Sequence, residues 1–464
     1  MRQLNVRRNS QQRMNFGAGW NEHACGALEL REAATAGMAY AGSETPTCRR
    51  LSRQRDGTME LAIMSLSKST TAEPTFSFGI EEEYYLVDRT TRALAKDAPK
   101  RLLAALRKRL GKQFSEEYMR SQVEICTPVC HDTDTARDYL TEYRRSIAAE
   151  AENFGLAPIA AATHPFSLWR HQRHRDKPRY NEIAEDFQVL GRRMLVCGQH
   201  VHIGIEQADL RIVVMNELRQ YLPVLLALST SSPFWGGETT GLKSYRTAIN
   251  DSTPRKGIPE RFENWAHFQR AVDVLVGAGL IDDASKIWWD IRPSVSFPTL
   301  EVRIMDVCPL VDDAICITAI LRCLCRYICR TYKTRSAMVC PMVLINENRW
   351  RAQRYGIDEG LIDIDTGAIV PVSHVVSDIL QRIREDAEYF DCVTEVERAR
   401  TILLRGTSAD RQVALYKGLC DQGFDADVAL VGVVDELIAD TVAAETHSLA
   451  GSTIKAPPEF ARRV

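Results

Sequence analysis

An α+β fold, with an antiparallel sheet and helices packed against one of its faces, is what the sequence predicts. Strand-like segments crowd residues 76–305, and beyond Asp312 the pattern is almost wholly helical. Four of those segments place ionisable side chains at every second position, with mostly apolar residues in the gaps. No internal repeat breaks this order.

The beginning of the chain stands apart. Arg2, Arg7, Arg8, Arg13, Arg49, Arg50, Arg53 and Arg55 dominate it, and its periodicity is poor. An arginine-rich start resembles a transit peptide, but Glu22, Glu29, Glu32 and Glu44 weigh against targeting. Residues 1–64 are therefore expected to be a disordered extension or a start placed too far upstream, with Met59 or Met64 as the real one. Residues 65–450 are expected to form one domain, and 451–464 a flexible polar tail.

Within the domain, strands are expected over 76–87 and 118–127, with a helix over 101–110 between them. Thr133 reads as the N-cap of a helix reaching 151, because its hydroxyl can accept from a first-turn N–H. A strand over 156–162 leads into a basic loop, 163–179, and a strand over 195–205 into a long helix, 210–229. The Gly/Thr/Ser/Pro-rich stretch 231–259 reads as a loop, and 265–276 as a helix. Strands over 287–295 and 299–305 turn at Pro298, and amphipathic periods at 315–332 and 426–444 follow.

Bulk properties narrow the class. Across 464 residues, 45% hydrophobic and 26% charged content are ordinary for a soluble globular protein. A formal net charge of -2 leaves no general footprint for nucleic acid. The most apolar stretch, 213–228, is broken by Glu217, Arg219 and Gln220, so no membrane partner is expected. Cys316, Cys323, Cys325 and Cys329 have spacings that suit a buried helix better than a zinc site. Reduced thiols and a cytoplasmic location are expected.

The chemistry lies in the four alternating segments: Gly79-Ile80-Glu81-Glu82-Glu83-Tyr84-Tyr85, Gln122-Val123-Glu124-Ile125, Gln199-His200-Val201-His202-Ile203 and Leu300-Glu301-Val302-Arg303-Ile304. Side chains alternate faces along a strand. If the strands share a sheet, Glu81, Glu83, Glu124, His200, His202, Glu301 and Arg303 converge on one surface. Such a wall of carboxylates cannot stay ionised without cations, and hard oxygen ligands favour Mg²⁺ or Mn²⁺ over zinc. Glu82 then falls on the apolar face with Ile80, Tyr84 and Leu86 and needs a partner of its own.

Each residue also has a plainer explanation. Adjacent glutamates are commonly a solvated edge, a lone histidine is commonly a satisfied core residue, and Glu301 could simply pair with Arg303. Repetition on four segments favours a metal and nucleotide site. Arg246, Arg292 and Arg303 supply planar guanidinium groups suited to phosphate or carboxylate, with a surface ion pair as the alternative for each. His164, Trp169, Arg170, His171 and Arg173 give the 163–179 loop a cationic and aromatic surface. No Walker A sequence, GxGxxG or nucleophile elbow occurs.

With these residues the chain resembles the glutamate–cysteine ligase type 2 family, the bacterial carboxylate–amine ligases. The likeness rests on Phe78-Gly79-Ile80-Glu81-Glu82-Glu83, Gln122-Val123-Glu124, Gly198-Gln199-His200-Val201-His202-Ile203-Gly204 and Leu300-Glu301-Val302-Arg303. Supporting stretches fall at 162–166, 229–235 and 346–351, and the whole likeness spans roughly 76–445. It implies a glutamine-synthetase-like catalytic fold whose concave sheet face holds ATP, metal and an amino acid. It implies Glu81, Glu83, Glu124, His200 and Glu301 as ligands of Mg²⁺ or Mn²⁺. Arg246, Arg292 and Arg303 would meet phosphate and substrate carboxylate, and His202, Arg246 and Arg303 the nucleotide.

The implied reaction phosphorylates the γ-carboxylate of L-glutamate with ATP. An amine, expected to be that of L-cysteine, then attacks the acyl phosphate; the activity could be weak. The rivals are a glutamate ligase with another amine, a guanidino kinase-like phosphotransferase, and a non-catalytic binding protein on the same fold. Small molecules are the expected partners, and homo-oligomerisation is left open.

Overall fold

The structure, a computed structural model, describes residues 73–334 and 340–443. The expected N-terminal extension and the 451–464 tail lie outside the described residues. The chain's strands begin with β1 (Phe78–Asp88), β2 (Phe114–Glu116), which the sequence did not mark, β3 (Gln122–Cys126), β4 (Leu156–Ile159) and β5 (Gln199–Gly204). A small hairpin, β6 (Phe234–Trp235) and β7 (Glu238–Thr239), precedes β8 (Ile291–Pro293) and β9 (Thr299–Val302). One sheet runs β2-β3-β1-β5-β9-β8, with β4 paired to the end of β1, and every pairing in it is antiparallel.

Register turns the sequence pattern into a surface. Glu83 faces Glu124 across β1 and β3, and Glu81 faces His200 across β1 and β5. His202 faces Glu301, which in turn faces Arg292 across β9 and β8. Directly opposed residues share a face, so an ionisable row crosses five strands. A slip of one residue at any pairing would send half the row into the core.

The other face is apolar. Ile80, Tyr84, Leu86, Val123, Ile125, Val201, Ile203, Leu300 and Val302 are all fully buried. Helices Thr133–Glu152 and Val311–Thr331 reach this side. The Gln199 amide donates to the Ala314 carbonyl at 3.1 Å and to the Thr318 hydroxyl at 3.2 Å. Glu82 finds its partner here. Its carboxylate accepts from Arg144 Nη2 at 2.7 Å and Nε at 3.0 Å, and from the Tyr84 hydroxyl. Arg144 also donates to the carbonyls of Cys308, at 2.8 Å, and Pro309.

Several elements differ from expectation. The cap of helix Thr133–Glu152 is Asp132, whose carboxylate accepts from the Thr135 N–H at 2.7 Å; a carboxylate does this at least as well as the threonine hydroxyl one position on. The helix expected over 210–229 is split into Ala208–Leu218 and Leu222–Ser229 by a 3₁₀ turn at Arg219–Tyr221. Pro223 fits only in the first turn of a new helix. The stretch read as a loop over 231–259 holds β6, β7 and helix Tyr245–Asp251, and helix Pro178–Phe187 follows the basic loop. Short, polar elements leave little hydrophobic periodicity to read.

The C-terminal half is helical as expected, apart from the two-residue strands β10 (Leu361–Ile362) and β11 (Ile369–Val370). Cys316, Cys323 and Cys325 are buried in helix Val311–Thr331 with Cys329 half-buried, and no described cysteine is in a disulfide. Among the described residues no helix is long and apolar enough to cross a membrane.

Arg144 and Glu82 are 1% and 0% exposed, so neither charge can turn to solvent if the other is removed. Arg144→Ala is expected to lower unfolding free energy by about 3–5 kcal/mol in urea titrations. A loss under about 1 kcal/mol would contradict the pairing as described.

Candidate active site

Glu81 stands at the middle of the row. His200 Nδ1 and His202 Nε2 each lie 3.3 Å from one of its two carboxylate oxygens. Burial disfavours the Glu81 charge, but the two imidazoles outweigh it and hold its pKa well below the usual range. Burial, with Arg303 nearby, pushes the pKa of His200 down to about 3, which leaves its ring neutral and fit to ligate. His202 Nδ1 lies 2.9 Å from the Thr299 hydroxyl, which orients its ring.

The other carboxylates lack such partners. Glu83 accepts from the Gly198 N–H at 2.7 Å, yet burial and the neighbouring Glu117 push its pKa up to about 7. Glu124 accepts from the Ser115 hydroxyl at 2.6 Å. Its pKa is driven well up by burial and by Glu117, Glu81 and Glu83. Glu83, Glu117 and Glu124 have no ion-pair partner among the described residues. Glu117 was not selected from the sequence; it lies between β2 and β3, next to Glu116, with no alternation to mark it.

Three overlapping triplets result. The ligand atoms of Glu81, Glu124 and His200 lie within 4.8 Å of one another, as do those of Glu83, Glu117 and Glu124, and those of Glu81, His202 and Glu301. Uncompensated carboxylates with one neutral imidazole among them match the donor preference of Mg²⁺ or Mn²⁺. The residues present fit such an ion.

Glu301 differs from the others in being already balanced. It accepts from Arg292 Nε at 2.8 Å and Nη2 at 3.2 Å, and pairs with Arg303. Burial opposes its charge, but the two guanidinium groups hold its pKa well below the usual range. Arg292 is also tied to the carbonyls of Ser285 at 3.0 Å and Ile287 at 2.6 Å. Arg292, Glu301 and His202 therefore occupy the far end of the row, outside the main cleft.

That cleft encloses about 940 Å³ with its open mouth. Glu81, Glu83, Glu117 and Glu124 line it together with Arg246, Arg303 and Lys256. Arg246 lies in helix Tyr245–Asp251 and donates to the carbonyls of Ile304 at 3.1 Å and Arg303 at 3.0 Å. Asp306 stands 3.8 Å from it, itself held by Ser231, Ser232 and Ser244. A Cβ at Gly198 would fall 2.8 Å from Cζ of Arg246, so only glycine lets the guanidinium pass. Burial and repulsion by Arg303 and Arg246 push the pKa of Lys256 down to about 7. Lys256, Asn250 and Trp288 were hidden in stretches read as a polar loop and an ordinary strand.

The basic loop differs from expectation at one residue. His164 is fully buried, with Nε2 2.9 Å from the Arg92 carbonyl and Nδ1 accepting from the Ser167 N–H at 2.9 Å. Burial lowers its pKa to about 4, so it is a neutral core residue and adds no cation to the surface. Arg349 also acts structurally. It joins Asp290 at 2.6 Å and Asp251 at 2.7 Å, tying helix Met342–Tyr355 to the approach to β8.

The antiparallel sheet and its helical cover form an α+β fold that solved ligases share. A glutamate–cysteine ligase from Francisella tularensis, solved in complex with AMP, superposes with a TM-score of 0.59 at 13% identity, covering 80% of this chain and 89% of that one. A bifunctional glutathione synthetase from Pasteurella multocida superposes at 0.55 with 16% identity, covering 79% and 52%. The model of the glutamate-cysteine ligase family 2 matches residues 77–429, and the chain belongs to that family. A provisionally named glutamate–cysteine ligase 2 from Rhodospirillum rubrum is 50% identical over 376 residues, 80% of this chain and 97% of its own. Another from Jannaschia sp. is 45% identical over 372 residues, 80% and 98%. The protein is thus an ATP-dependent ligase of the class that forms carbon–nitrogen bonds.

The raised pKa of Glu83 has a measurable sign. The folded state binds its proton more tightly than the unfolded chain, so this group's contribution to stability is lost as pH rises from its ordinary value of 4.5 to about 7. Without divalent metal, Glu83→Gln is expected to melt higher than wild type at pH 8, with a smaller gap at pH 5. Melting curves in chelator that show no pH-dependent gap would contradict the assignment.

Proposed function

We propose that this protein joins the γ-carboxylate of L-glutamate to an amine, with L-cysteine the expected acceptor, at the expense of ATP. The observation that carries this reading is the presence of two arrays in one cleft: the acid and imidazole triplets around Glu81 and Glu124, and the cations Arg246, Arg303 and Lys256. The catalytic domain is taken as residues 65–450.

Mg²⁺ or Mn²⁺ held by Glu81, Glu83, Glu124 and His200, with Glu117 beside them, would neutralise phosphate oxygens in this cleft. Glu301 is assigned to the same ligand array through its triplet with Glu81 and His202, and Arg292 positions it. His202, a member of that triplet, is assigned to the nucleotide. In the first step an oxygen of the glutamate γ-carboxylate bonds to the terminal phosphorus of ATP, and the bond to ADP breaks. Arg246, Arg303 and Lys256 meet the negative charge that spreads over the transferring oxygens. In the second step the amine nitrogen bonds to the acyl carbon, the carbon–oxygen bond to phosphate breaks, and the amine proton leaves with the phosphate. Protein nucleophiles are not needed; positioning and charge neutralisation are.

Buried, unpaired thiols and the lack of a membrane-crossing helix among the described residues support action in the cytoplasm.

Protein incubated with ATP, Mg²⁺, L-glutamate and a panel of amines is expected to yield ADP, free phosphate and a γ-glutamyl amide, identified by mass. A phosphorylated guanidino product would point to the kinase reading instead. Glu81→Gln is expected to lose at least about 100-fold in turnover with an unchanged circular dichroism spectrum. Near-full activity in that variant would contradict the site.

A further inference from the structure

Lys256 differs from the other cations of the cleft. Arg246 is tied to the carbonyls of Ile304 and Arg303, and Arg303 is paired with Glu301. Lys256 lines the same cleft, half-buried, and its Nζ lies 3.4 Å from Asn250 Oδ1. No carboxylate of the described residues comes within ion-pair reach of it, whereas Lys177, Lys243 and Lys286 are each paired.

The backbone around it is firmly held. The Arg255 carbonyl accepts from the Trp288 N–H at 2.9 Å, and the Gly257 carbonyl from the Asp290 N–H at 2.8 Å, so the segment lies along the approach to β8. Arg255 has a φ of +59°, a left-handed conformation that a non-glycine residue keeps only where its surroundings impose it. Lys256 Nζ stands 5.8 Å from the centre of the Trp288 ring. Its place in the cleft is therefore set by the chain and not by a counter-charge.

The environment also favours the neutral amine. Burial, Arg303 and Arg246 lower the pKa of Lys256 to about 7, against the opposing pull of Asp290 and Glu83. Near neutral pH about half of the chains then carry an unprotonated primary amine in the cleft, and such an amine is a nucleophile. Protonated, Lys256 meets phosphate oxygens; unprotonated, it belongs to the same chemical class as the second substrate.

Building on the ligase reading above, we propose that Lys256 is a self-modification site: when no acceptor amine is present, it takes the γ-glutamyl group from the acyl phosphate formed in its own cleft. The Nζ lone pair bonds to the acyl carbon, the carbon–oxygen bond to phosphate breaks with its electron pair leaving on phosphate, and the Nζ proton leaves with the phosphate. The product is an amide between the glutamate γ-carbonyl and the lysine side chain. It removes one cation from the phosphate region and fills the cleft, so each event silences one chain. A bound acceptor competes for the same acyl group and protects the enzyme.

The test incubates the protein with ATP, Mg²⁺ and L-glutamate without any amine, then digests it and weighs the peptides. The expected result is one adduct, the mass of glutamate less one water, on the peptide that carries Lys256. It should approach one per chain, with turnover falling in the same proportion. Omission of ATP is expected to abolish it, and L-cysteine to suppress it at least about tenfold. Lys256→Arg keeps the positive charge but offers no acylable amine. This variant is expected to carry no adduct and, whatever its starting rate, to keep that rate through the incubation that silences wild type. An unmodified Lys256 in protein that still joins amines to glutamate would overturn the inference and leave the ligase reading intact. So would adducts scattered over other lysines that persist in Lys256→Arg. Failure of every amine to yield ADP, phosphate and product would be a different result, overturning the ligase reading and this inference with it.

Discussion

Like charge packed on one side of a sheet is the constraint on which the rest of this molecule depends. Antiparallel pairing sets Glu83 against Glu124 and Glu81 against His200, with His202 and Glu301 next along. Backbone hydrogen bonds hold these groups together whether or not their charges agree. The consequences divide the row. At the Glu301 end two guanidinium groups balance the charge, and at Glu81 two imidazole nitrogens lie within 3.3 Å of the carboxylate oxygens. At Glu83 and Glu124 burial and the neighbouring carboxylates outweigh any counter-charge, and proton affinity rises instead. A fold that keeps such carboxylates together holds them ready for a cation from outside.

The opposite face makes this tenable. Its apolar residues are fully buried beneath two long helices, and the one carboxylate that falls there is matched by Arg144. The same side chain also takes the Cys308 carbonyl, close to the start of helix Val311–Thr331, so one buried cation links strand, helix and loop. That anchoring fixes the register, and the register fixes the site. Stability and function here share one geometric cause.

Much of this was legible in the residues. Alternation with period two identified β1, β3, β5 and β9 and the faces of their side chains, because a strand leaves its side chains no other choice. Helix Val311–Thr331 was legible, over 315–332, from its amphipathic period. What escaped was short or polar. Glu117 sits in an irregular link where no periodicity operates, Lys256 in a stretch whose Gly, Ser and Thr content reads as a loop, and Trp288 beside a second tryptophan that packs against the core cluster. These residues come to the cleft through tertiary placement alone. His164 failed in the other direction: a histidine among arginines looks exposed, yet two backbone N–H groups and a carbonyl close around it. Composition could not distinguish those cases; burial does.

The most direct test of the central claim is to locate the cations. Crystals grown with Mn²⁺ and measured at its absorption edge should show anomalous peaks within coordination distance of Glu81, Glu124 and His200, and of Glu83, Glu117 and Glu124. Manganese bound only elsewhere, or a row that stays empty at millimolar Mn²⁺, would contradict the account.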